Sequence, residues 1–295
     1  GDRSCRFPDA RSGPAVGQHS ERGLALDLKE IGQKLQLLGH VDVARQSAGH
    51  RIEYTQVQIP RAVVCLPTYN ERENLEPMLR ALGDKGVRVL VIDDNSPDGT
   101  GELADRLAAE LDYVDVLHRE RKEGLGPAYL AGFRRALTGD AELVLEMDCD
   151  FSHDPNSVPR LIAAVIGGAD VALGSRYVPG GGVRNWGFLR RIISSGGSLY
   201  ARIVLGVGVR DLTGGFKCYG REVLETIDLD SIHSKGYAFQ IETTYRALRA
   251  GFEVVEVPIT FADREAGGSK MSKGIVAEAI WNVPRLRLAA LLGRI

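Results

Sequence analysis

Two acidic residues separated by one position follow an apolar run in the middle of the chain. Leu143–Met147 is typical of a buried strand, and it leads directly into Asp148 and Asp150. Asp154 and Pro155 then predict the start of a helix, because aspartate is a favoured N-cap and proline suits the first helical position. Carboxylates this close repel each other unless a cation lies between them. Mg²⁺ or Mn²⁺ prefers such oxygen ligands and often bridges to a substrate's phosphates. Taken alone, the pair is explained equally well as two solvated turn residues.

From residue 61 onward, short apolar runs alternate with stretches of helical spacing. This alternation predicts an α/β fold with a mostly parallel sheet and helices on both of its faces. Polar motifs begin where several of the runs end. The carboxyl ends of parallel strands lie at one edge of a sheet, where open α/β folds bind ligands, so these motifs should converge there. Convergence favours an active site over a set of unrelated loops. The strands are predicted at 62–66, 87–92, 114–118, 143–147 and 170–174.

Each polar motif also has a local structural explanation. Thr68 and Glu71 have the spacing of a capping box, and Asp98 or Thr100 could cap the helix after the second strand. Asp94, however, directly follows a buried run, where a carboxylate could accept hydrogen bonds from a nucleobase or a ribose. The glycine-rich loop at 123–127 lacks the third glycine of a dinucleotide fingerprint, and the absence of any Gly-Lys pair excludes a P-loop. The residues therefore predict a site for a nucleoside diphosphate and a divalent metal. His153 precedes a helix cap and is more readily explained as an ordinary turn residue than as a metal ligand.

The composition excludes several classes of protein. The 295-residue chain has a formal net charge of -2 and 44% hydrophobic residues, so we expect no nucleic-acid partner. Its four cysteines are far apart, which favours reduced thiols in a cytosolic protein over disulfides or a zinc site. No apolar run approaches the roughly 18–20 residues that span a membrane, and the N-terminus lacks a signal-peptide pattern. We therefore expect a cytoplasmic protein that lies at the cytoplasmic face of a membrane if it works with lipids.

The two ends of the chain carry weaker signals. Residues 1–58 predict a tail that is either disordered or a single helix, with no function assigned. Residues 275–295 predict a basic amphipathic segment, which could lie on an anionic membrane or simply dock with its basic face in solvent. Around this segment only Glu278 opposes a set of cations, namely Lys270, Lys273, Arg285, Arg287 and Arg294.

Read in order, the motifs resemble those of the family 2 glycosyltransferases with a GT-A fold. More narrowly, they resemble the polyprenol (dolichol) phosphate mannose synthases, especially the actinobacterial polyprenol monophosphomannose synthases. Residues 59–274 would then form the GT-A domain, a Rossmann-like sheet with helices on both faces. Cys149 departs from the family, which usually has alanine there. The motifs are Pro67-Thr-Tyr-Asn-Glu71, Asp93-Asp94 with Asp98-Gly-Thr100, Asp148-x-Asp150-x-Ser-His, Gly174-Ser-Arg-Tyr177, Asp211-Leu-Thr-Gly-Gly-Phe and Arg264-x-x-Gly-x-Ser-Lys270.

The resemblance implies a role for each matching position. Guanosine would be held by Pro67, Tyr69, Glu71, Ile92 and Asp94. The metal and the diphosphate would be bound by Asp148, the Cys149 backbone and Asp150, and Arg264 and Lys270 would clamp the donor phosphates. The acceptor phosphate would be held by Arg176, Arg191 and Ser195, and the residues closest to the chemistry would be Asp150, Arg176 and Arg264.

The activity implied is mannosyl transfer from GDP-mannose to a polyprenyl (dolichyl-type) phosphate with inversion, using Mg²⁺ or Mn²⁺. A phosphate monoester is largely dianionic at pH 7, so this nucleophile needs no general base. Partners would be the lipid phosphate, a membrane surface and a recruiting membrane protein. One alternative is a polyprenyl phosphate glucosyltransferase that uses UDP-glucose. A second is a non-catalytic nucleotide-binding membrane anchor.

Overall fold

A seven-stranded sheet forms the centre of the protein in a computed structural model. The model describes residues 60–234, 236–262, 273–293 and 295, with only the backbone of 188, 189 and 273–280. The described residues belong to one compact unit, Thr55–Ile295. Nine strands are found in the described part: β1 (Ala62–Thr68), β2 (Arg88–Asp93), β3 (Val114–His118), β4 (Leu143–Glu146), β5 (Val171–Ser175), β6 (Gly182–Arg184), β7 (Lys217–Gly220), β8 (Val254–Pro258) and β9 (Thr260–Ala262).

The sheet has the strand order β3-β2-β1-β4-β7-β5-β8, and β6 pairs with β9 in a separate two-stranded sheet. All neighbours in the large sheet are parallel except β7, which runs antiparallel to both β4 and β5. The predicted α/β fold of GT-A type is thus confirmed. None of the five predicted strands corresponds to β7, and the late strands β8 and β9 are separated at Ile259.

Helices cover both faces of the sheet. They are α1 (Arg72–Gly83), α2 (Thr100–Glu110), α3 (Leu125–Leu137), α4 (Val158–Ile166), α5 (Phe188–Leu205), α6 (Arg221–Thr226), α7 (Gly236–Arg249) and α8 (Lys273–Leu291), with short 3₁₀ turns at Pro155–Ser157 and Leu229–Ser231. The helix predicted to start at Pro155 thus begins with a 3₁₀ turn, and the Asp154 side chain caps it as expected.

The two faces follow from the alternation of side chains along each strand. On β1, Val64 and Leu66 pack against α1, α2 and α4, whereas Cys65 packs against α3, α6 and α7. A third cluster joins α5, α7 and α8, where Val283 and Leu286 are buried. The C-terminal helix therefore docks on the domain. Among the described residues, no helix is both long and apolar enough to cross a bilayer.

Candidate active site

A cavity of about 550 Å³ lies at the carboxyl ends of β1, β2, β4 and β5. Polar residues from all four strand ends therefore share one edge of the sheet, as the alternation of elements predicts. The cavity is lined by eight of the residues singled out in the sequence, which are Pro67, Tyr69, Glu71, Asp94, Asp148, Cys149, Asp150 and Arg176.

Asp148 and Asp150 follow β4 and face the cavity together. The Tyr129 hydroxyl donates to Asp148 Oδ1 at 3.2 Å, and the Ser152 N–H donates to Asp150 Oδ1 at 3.0 Å, so each carboxylate is oriented through one oxygen. Burial, reinforced by the Asp148 charge, raises the pKa of Tyr129 well above its ordinary value, and its hydroxyl therefore remains a donor. Within the described ranges, no three His, Cys, Asp or Glu side chains cluster to hold a metal. A cation at the two carboxylates would need further oxygen ligands from water or a substrate, which is the usual situation for Mg²⁺.

His153 supports the loop that carries the carboxylates. Its Nδ1 accepts a hydrogen bond from the Asp148 N–H at 3.3 Å, and its ring stacks on Phe216 with 5.0 Å between centroids. The residue thus orients the loop that carries Asp148 and Asp150 through its ring nitrogen. Cys149 is buried between the two aspartates, and burial raises the pKa of its thiol well above the ordinary value. A protonated thiol leaves only the Cys149 backbone to contact a diphosphate, as the resemblance implies.

The predicted capping box is wrong. The Thr68 hydroxyl donates to Asp93 Oδ1 at 3.1 Å and so ties β1 to β2. Helix α1 begins after Glu71 with no side-chain cap, and the Glu71 N–H instead donates to Thr100 Oγ1 at 3.1 Å. These two threonines connect the first two strand ends that border the cavity.

The predicted cap of α2 is also displaced by one residue. The N-cap is Gly99 at φ +84°, a left-handed conformation that suits glycine. Asp98 accepts hydrogen bonds from the N–H and the hydroxyl of Thr100, at 3.0 and 2.6 Å. These bonds fix the Asp98–Thr100 turn and the Thr100 hydroxyl, which accepts the hydrogen bond from the Glu71 N–H.

A buried ion pair that the sequence did not predict lies at the carboxyl end of β2. Asp94 forms a salt bridge with Arg119, and both side chains are almost fully buried. Lys122 places its ammonium 3.6 Å from the centroid of the Tyr69 ring. Ile92, expected here as a guanosine contact, does not line the cavity and instead packs in the core on the α3 side of the sheet.

Arg176 lies at the opposite end of the cavity in a bidentate pair with Asp211. Its Nε and Nη2 donate to the two carboxylate oxygens at 2.7 and 2.6 Å, and Nη2 also donates to Thr213 Oγ1 at 2.9 Å. Arg176 is 7% exposed and Asp211 is fully buried. The guanidinium also lies within about 5.5 Å of the centroids of the Tyr177 and Trp186 rings. A closed pair of this kind is oriented far more strictly than the isolated cation that the sequence suggested.

The structure places the expected acceptor residues on α5 outside the lining of the cavity. Arg191 is exposed and does not line the cavity, and the Ser195 hydroxyl donates to the Arg191 carbonyl at 2.9 Å. The preceding residue, Arg190, does line the cavity and lies over the Trp186 ring at 4.4 Å. Ser194 accepts a hydrogen bond from the Tyr177 hydroxyl at 2.8 Å. Neighbouring helix residues point about 100° apart, so a shift of one position selects a different face.

Arg264 and Lys270, the expected clamp on the donor phosphates, lie outside the described residues.

Comparison with known proteins fits this arrangement. Residues 63–228 match the model of the glycosyl transferase family 2 domain, and they contain every cavity-lining residue named so far. The chain belongs to glycosyl transferase family 2. Membership of this family confirms the resemblance drawn from the motifs.

Curated relatives within the family are mannosyltransferases. The chain is 52% identical over 237 residues to the polyprenol monophosphomannose synthase of Mycolicibacterium smegmatis, covering 79% of this chain and 89% of that protein. It is 53% identical over 232 residues to the undecaprenyl-phosphate mannosyltransferase of Micrococcus luteus, covering 78% and 95%. A dolichol-phosphate mannosyltransferase of Pyrococcus furiosus is 39% identical, covering 76% of this chain and 62% of that protein.

Among solved structures, residues 1–349 of S. aureus TarS superpose with a TM-score of 0.54 at 20% identity, covering 79% of this chain and 65% of that one. This likeness concerns the fold alone.

The sequence analysis missed Arg119, Arg190 and Thr213 as site residues. Thr213 lies inside the quoted Asp211-Leu-Thr-Gly-Gly-Phe motif, so a signal was present there. Arg119 and Arg190 belong to runs with several cations, and only the fold shows that Arg119 pairs with Asp94 and that Arg190 lines the cavity.

Proposed function

We propose that the protein transfers mannose from GDP-mannose to a polyprenyl phosphate, with inversion, giving polyprenyl phosphate mannose. The observation that carries this proposal is the division of the cavity into two ends. Along the edge of the sheet, the carboxylates Asp94, Asp148 and Asp150 follow β2 and β4 at one end of the cavity. Arg176 follows β5, on the far side of β7, and Arg190 lies with it near the Trp186 ring, so these guanidinium groups form the other, cationic end. Carboxylates suit a metal-bound nucleotide, and guanidinium groups suit a phosphate acceptor. The names of the family 2 relatives support the same donor sugar and acceptor class.

The donor would bind along β1, β2 and β4. Pro67, Tyr69 and Glu71 would surround the nucleoside, and Asp94 would accept hydrogen bonds from donor groups of guanine, a base that carries N–H donors on one edge. Asp148 and Asp150 would hold Mg²⁺ or Mn²⁺, for which two oriented carboxylates at the cavity wall are a suitable partial ligand set. When bound, the metal supplies electrostatic stabilisation of the departing diphosphate.

The acceptor would bind at the cationic end. A phosphate monoester has its second pKa near ~6 and is mostly dianionic at pH 7, so it can attack the anomeric carbon without a general base. The chain then has to orient this anion, and arginine forks do so through paired hydrogen bonds. Arg176 and Arg190 would fill this role because both line the cavity, whereas the Arg191 and Ser195 expected earlier do not. Arg264 and Lys270 are retained as the proposed clamp on the donor phosphates.

The protein would work at the cytoplasmic face of a membrane, because its acceptor is a lipid. Helices α5 and α8 pack together, and both leave large apolar side chains in solvent. Ile203 and Trp281 are each 70% exposed, and large apolar side chains exposed on two packed helices suit an interaction site. The other exposed apolar residues on or directly after these helices are Ile192, Ile193, Leu199, Leu288, Leu291 and Leu292.

Vesicle flotation tests the membrane contact. The double variant Ile203→Gln/Leu291→Gln should bind anionic phospholipid vesicles at least about tenfold more weakly, because each apolar side chain contributes about 1.5–3 kcal/mol when buried. Ile166→Gln is the matched control, since Ile166 is 59% exposed on α4. Unchanged flotation of the double variant would contradict the assignment of this surface. It would then favour recruitment by a membrane protein.

Sugar transfer tests the reaction itself. Radiolabelled GDP-mannose and, separately, UDP-glucose are supplied with a polyprenyl phosphate in detergent and Mg²⁺. Parallel reactions contain EDTA or the Asp150→Ala protein. Metal-dependent mannolipid from GDP-mannose alone is the expected result. Glucolipid from UDP-glucose would overturn the donor assignment, and absence of any lipid product would favour a non-catalytic nucleotide-binding anchor.

A further inference from the structure

We propose that Thr213 and Asp211 are positioning residues, which hold the Arg176 guanidinium in the one orientation that binds the acceptor phosphate. The inference rests on the proposed function, because it presumes that Arg176 meets a phosphate. It concerns residues that need not touch the substrate to control the reaction. Both act on the same guanidinium, from the loop that leads into β7.

The pair with Asp211 changes how Arg176 can act. Both groups are buried and joined by two hydrogen bonds, and the Arg176 N–H also donates to Asp211 Oδ2 at 2.8 Å. A carboxylate this close neutralises most of the arginine's charge as seen from the cavity. Arg176 therefore attracts a phosphate through directed N–H donors more than through net charge, and directed donors depend on orientation.

The available donor edge is defined by the bonds already made. Nε and Nη2 face Asp211 and Thr213, and within the described part of the chain Nη1 makes no hydrogen bond. The guanidinium is planar, so fixing the Nε–Nη2 side also fixes the direction of Nη1. Aromatic rings of Tyr177, Trp186 and Phe261 stand 5.2–5.5 Å from the guanidinium carbon and limit its rotation further.

The Thr213 hydroxyl is saturated by this arrangement. It accepts from Arg176 Nη2 at 2.9 Å and can donate to Asp211 Oδ1 at 3.4 Å, while Ser198 on α5 lies 3.1 Å away as a second donor. Its single proton thus has an acceptor, and both lone pairs have donors. Asp211 is in turn anchored by its N–H, which donates to Glu256 Oε1 at 3.0 Å. Thr213 therefore connects helix α5, through Ser198, to the pair of Arg176 and Asp211.

Removing one hydroxyl tests the proposal with little risk to folding. Thr213→Val keeps the side-chain shape and deletes the hydroxyl, whereas Thr213→Ser keeps it. We expect Thr213→Val to raise the KM for polyprenyl phosphate about fivefold to tenfold, the usual range for one hydrogen bond, with the KM for GDP-mannose changed less than twofold. Thr213→Ser should restore the wild-type KM. Thr244→Val is the control, because Thr244 also carries a buried, hydrogen-bonded hydroxyl but does not line the cavity.

A double-variant cycle separates positioning from direct contact. Lysine cannot form the guanidinium fork, so in an Arg176→Lys background Thr213→Val should cost less than a further twofold. If the effects of the two substitutions on the KM multiply instead, Thr213 contacts the lipid phosphate itself and the proposal is wrong. An unchanged KM in Thr213→Val would overturn it too. Failure of the proposed function is distinguishable, since the wild-type protein would then form no mannolipid at all.

Discussion

A buried ion pair lies beside the loop that carries Asp148 and Asp150. Lys217 on β7 and Glu146 on β4 are both fully buried, with 3.9 Å between Nζ and Oε2. The ammonium donates to the carbonyl and Oε1 of Gln240 at 3.0 and 2.5 Å and to Thr243 Oγ1 at 3.0 Å. The Tyr219 hydroxyl donates to Glu146 Oε1 at 2.9 Å. The pair is therefore embedded in a network of neutral donors and acceptors.

Replacing Lys217 with methionine should destabilise the protein strongly. The change leaves Glu146 buried without its countercharge, and breaking such a pair costs about 3–5 kcal/mol. A unit of this size loses roughly 2–4 °C of Tm per kcal/mol, so Tm should fall by roughly 6–20 °C. The double variant Lys217→Met/Glu146→Gln should recover most of this loss, because it removes both buried charges.

Scanning calorimetry at pH 7 measures both variants against the wild type. Because Glu146 lies two residues before Asp148, Lys217→Met should also weaken sugar transfer at temperatures where it remains folded. A Tm within 2 °C of the wild type would refute the reasoning. So would a double variant less stable than Lys217→Met, since the cost could not then arise from an uncompensated charge.

Two further predictions concern Lys217 and the buried pair of Asp94 and Arg119. Burial lowers the pKa of Lys217 from 10.5 to about 8. Between these two pH values the lysine is protonated in the unfolded chain but mostly neutral in the folded protein. The free energy of unfolding should therefore rise with pH over this range because of this group. Melting at pH 8 and pH 10 should show the rise in the wild type and lack it in Lys217→Met, and an equal slope in both would contradict it. Arg119→Gln leaves Asp94 without its partner and should weaken GDP binding by calorimetry at least about tenfold. Arg121→Gln is the control, since Arg121 is 79% exposed, and equal affinities in the two variants would count against the role of the buried pair.

The parallel core of the fold was predictable from sequence, and the antiparallel strand was not. The five predicted strands all occur, because the apolar runs of β1, β2, β4 and β5 are almost entirely buried and that of the edge strand β3 is partly buried. β7 was not predicted because it is only four residues long and begins with Lys217, a charged residue that a hydrophobic pattern does not include. Its burial depends on Glu146 and Gln240, which are distant in sequence, so only the folded chain shows why a lysine is tolerated there.

The sequence predicted the site residues that directly follow a strand better than those whose position depends on a partner distant in sequence. Asp148 and Asp150 line the cavity as expected, because a carboxylate after a buried strand has few other places to lie. Arg176 was placed in the cavity, but its partner Asp211 is 35 residues away and was not foreseen. The choice of Arg190 over Arg191 depends on the rotation of α5 about its axis, which is set by tertiary packing.

The single antiparallel strand also has a consequence for how the chain folds. Strands β1 to β3 pair with their neighbours in sequence and, with the loops that follow them, include the residues proposed to hold guanosine, whereas β4 and β5 are joined in the sheet only through β7. The part built by β1 to β3 can therefore form early from local strand–helix–strand contacts, whereas the pairings of β4 with β1 and β7, and of β5 with β7, wait for residues much later in the sequence. Non-local pairing of this kind is slow. A refolding chain should accordingly gain affinity for GDP before it gains the ability to transfer sugar to lipid. The interval between these two events would measure how long β7 takes to insert into the sheet.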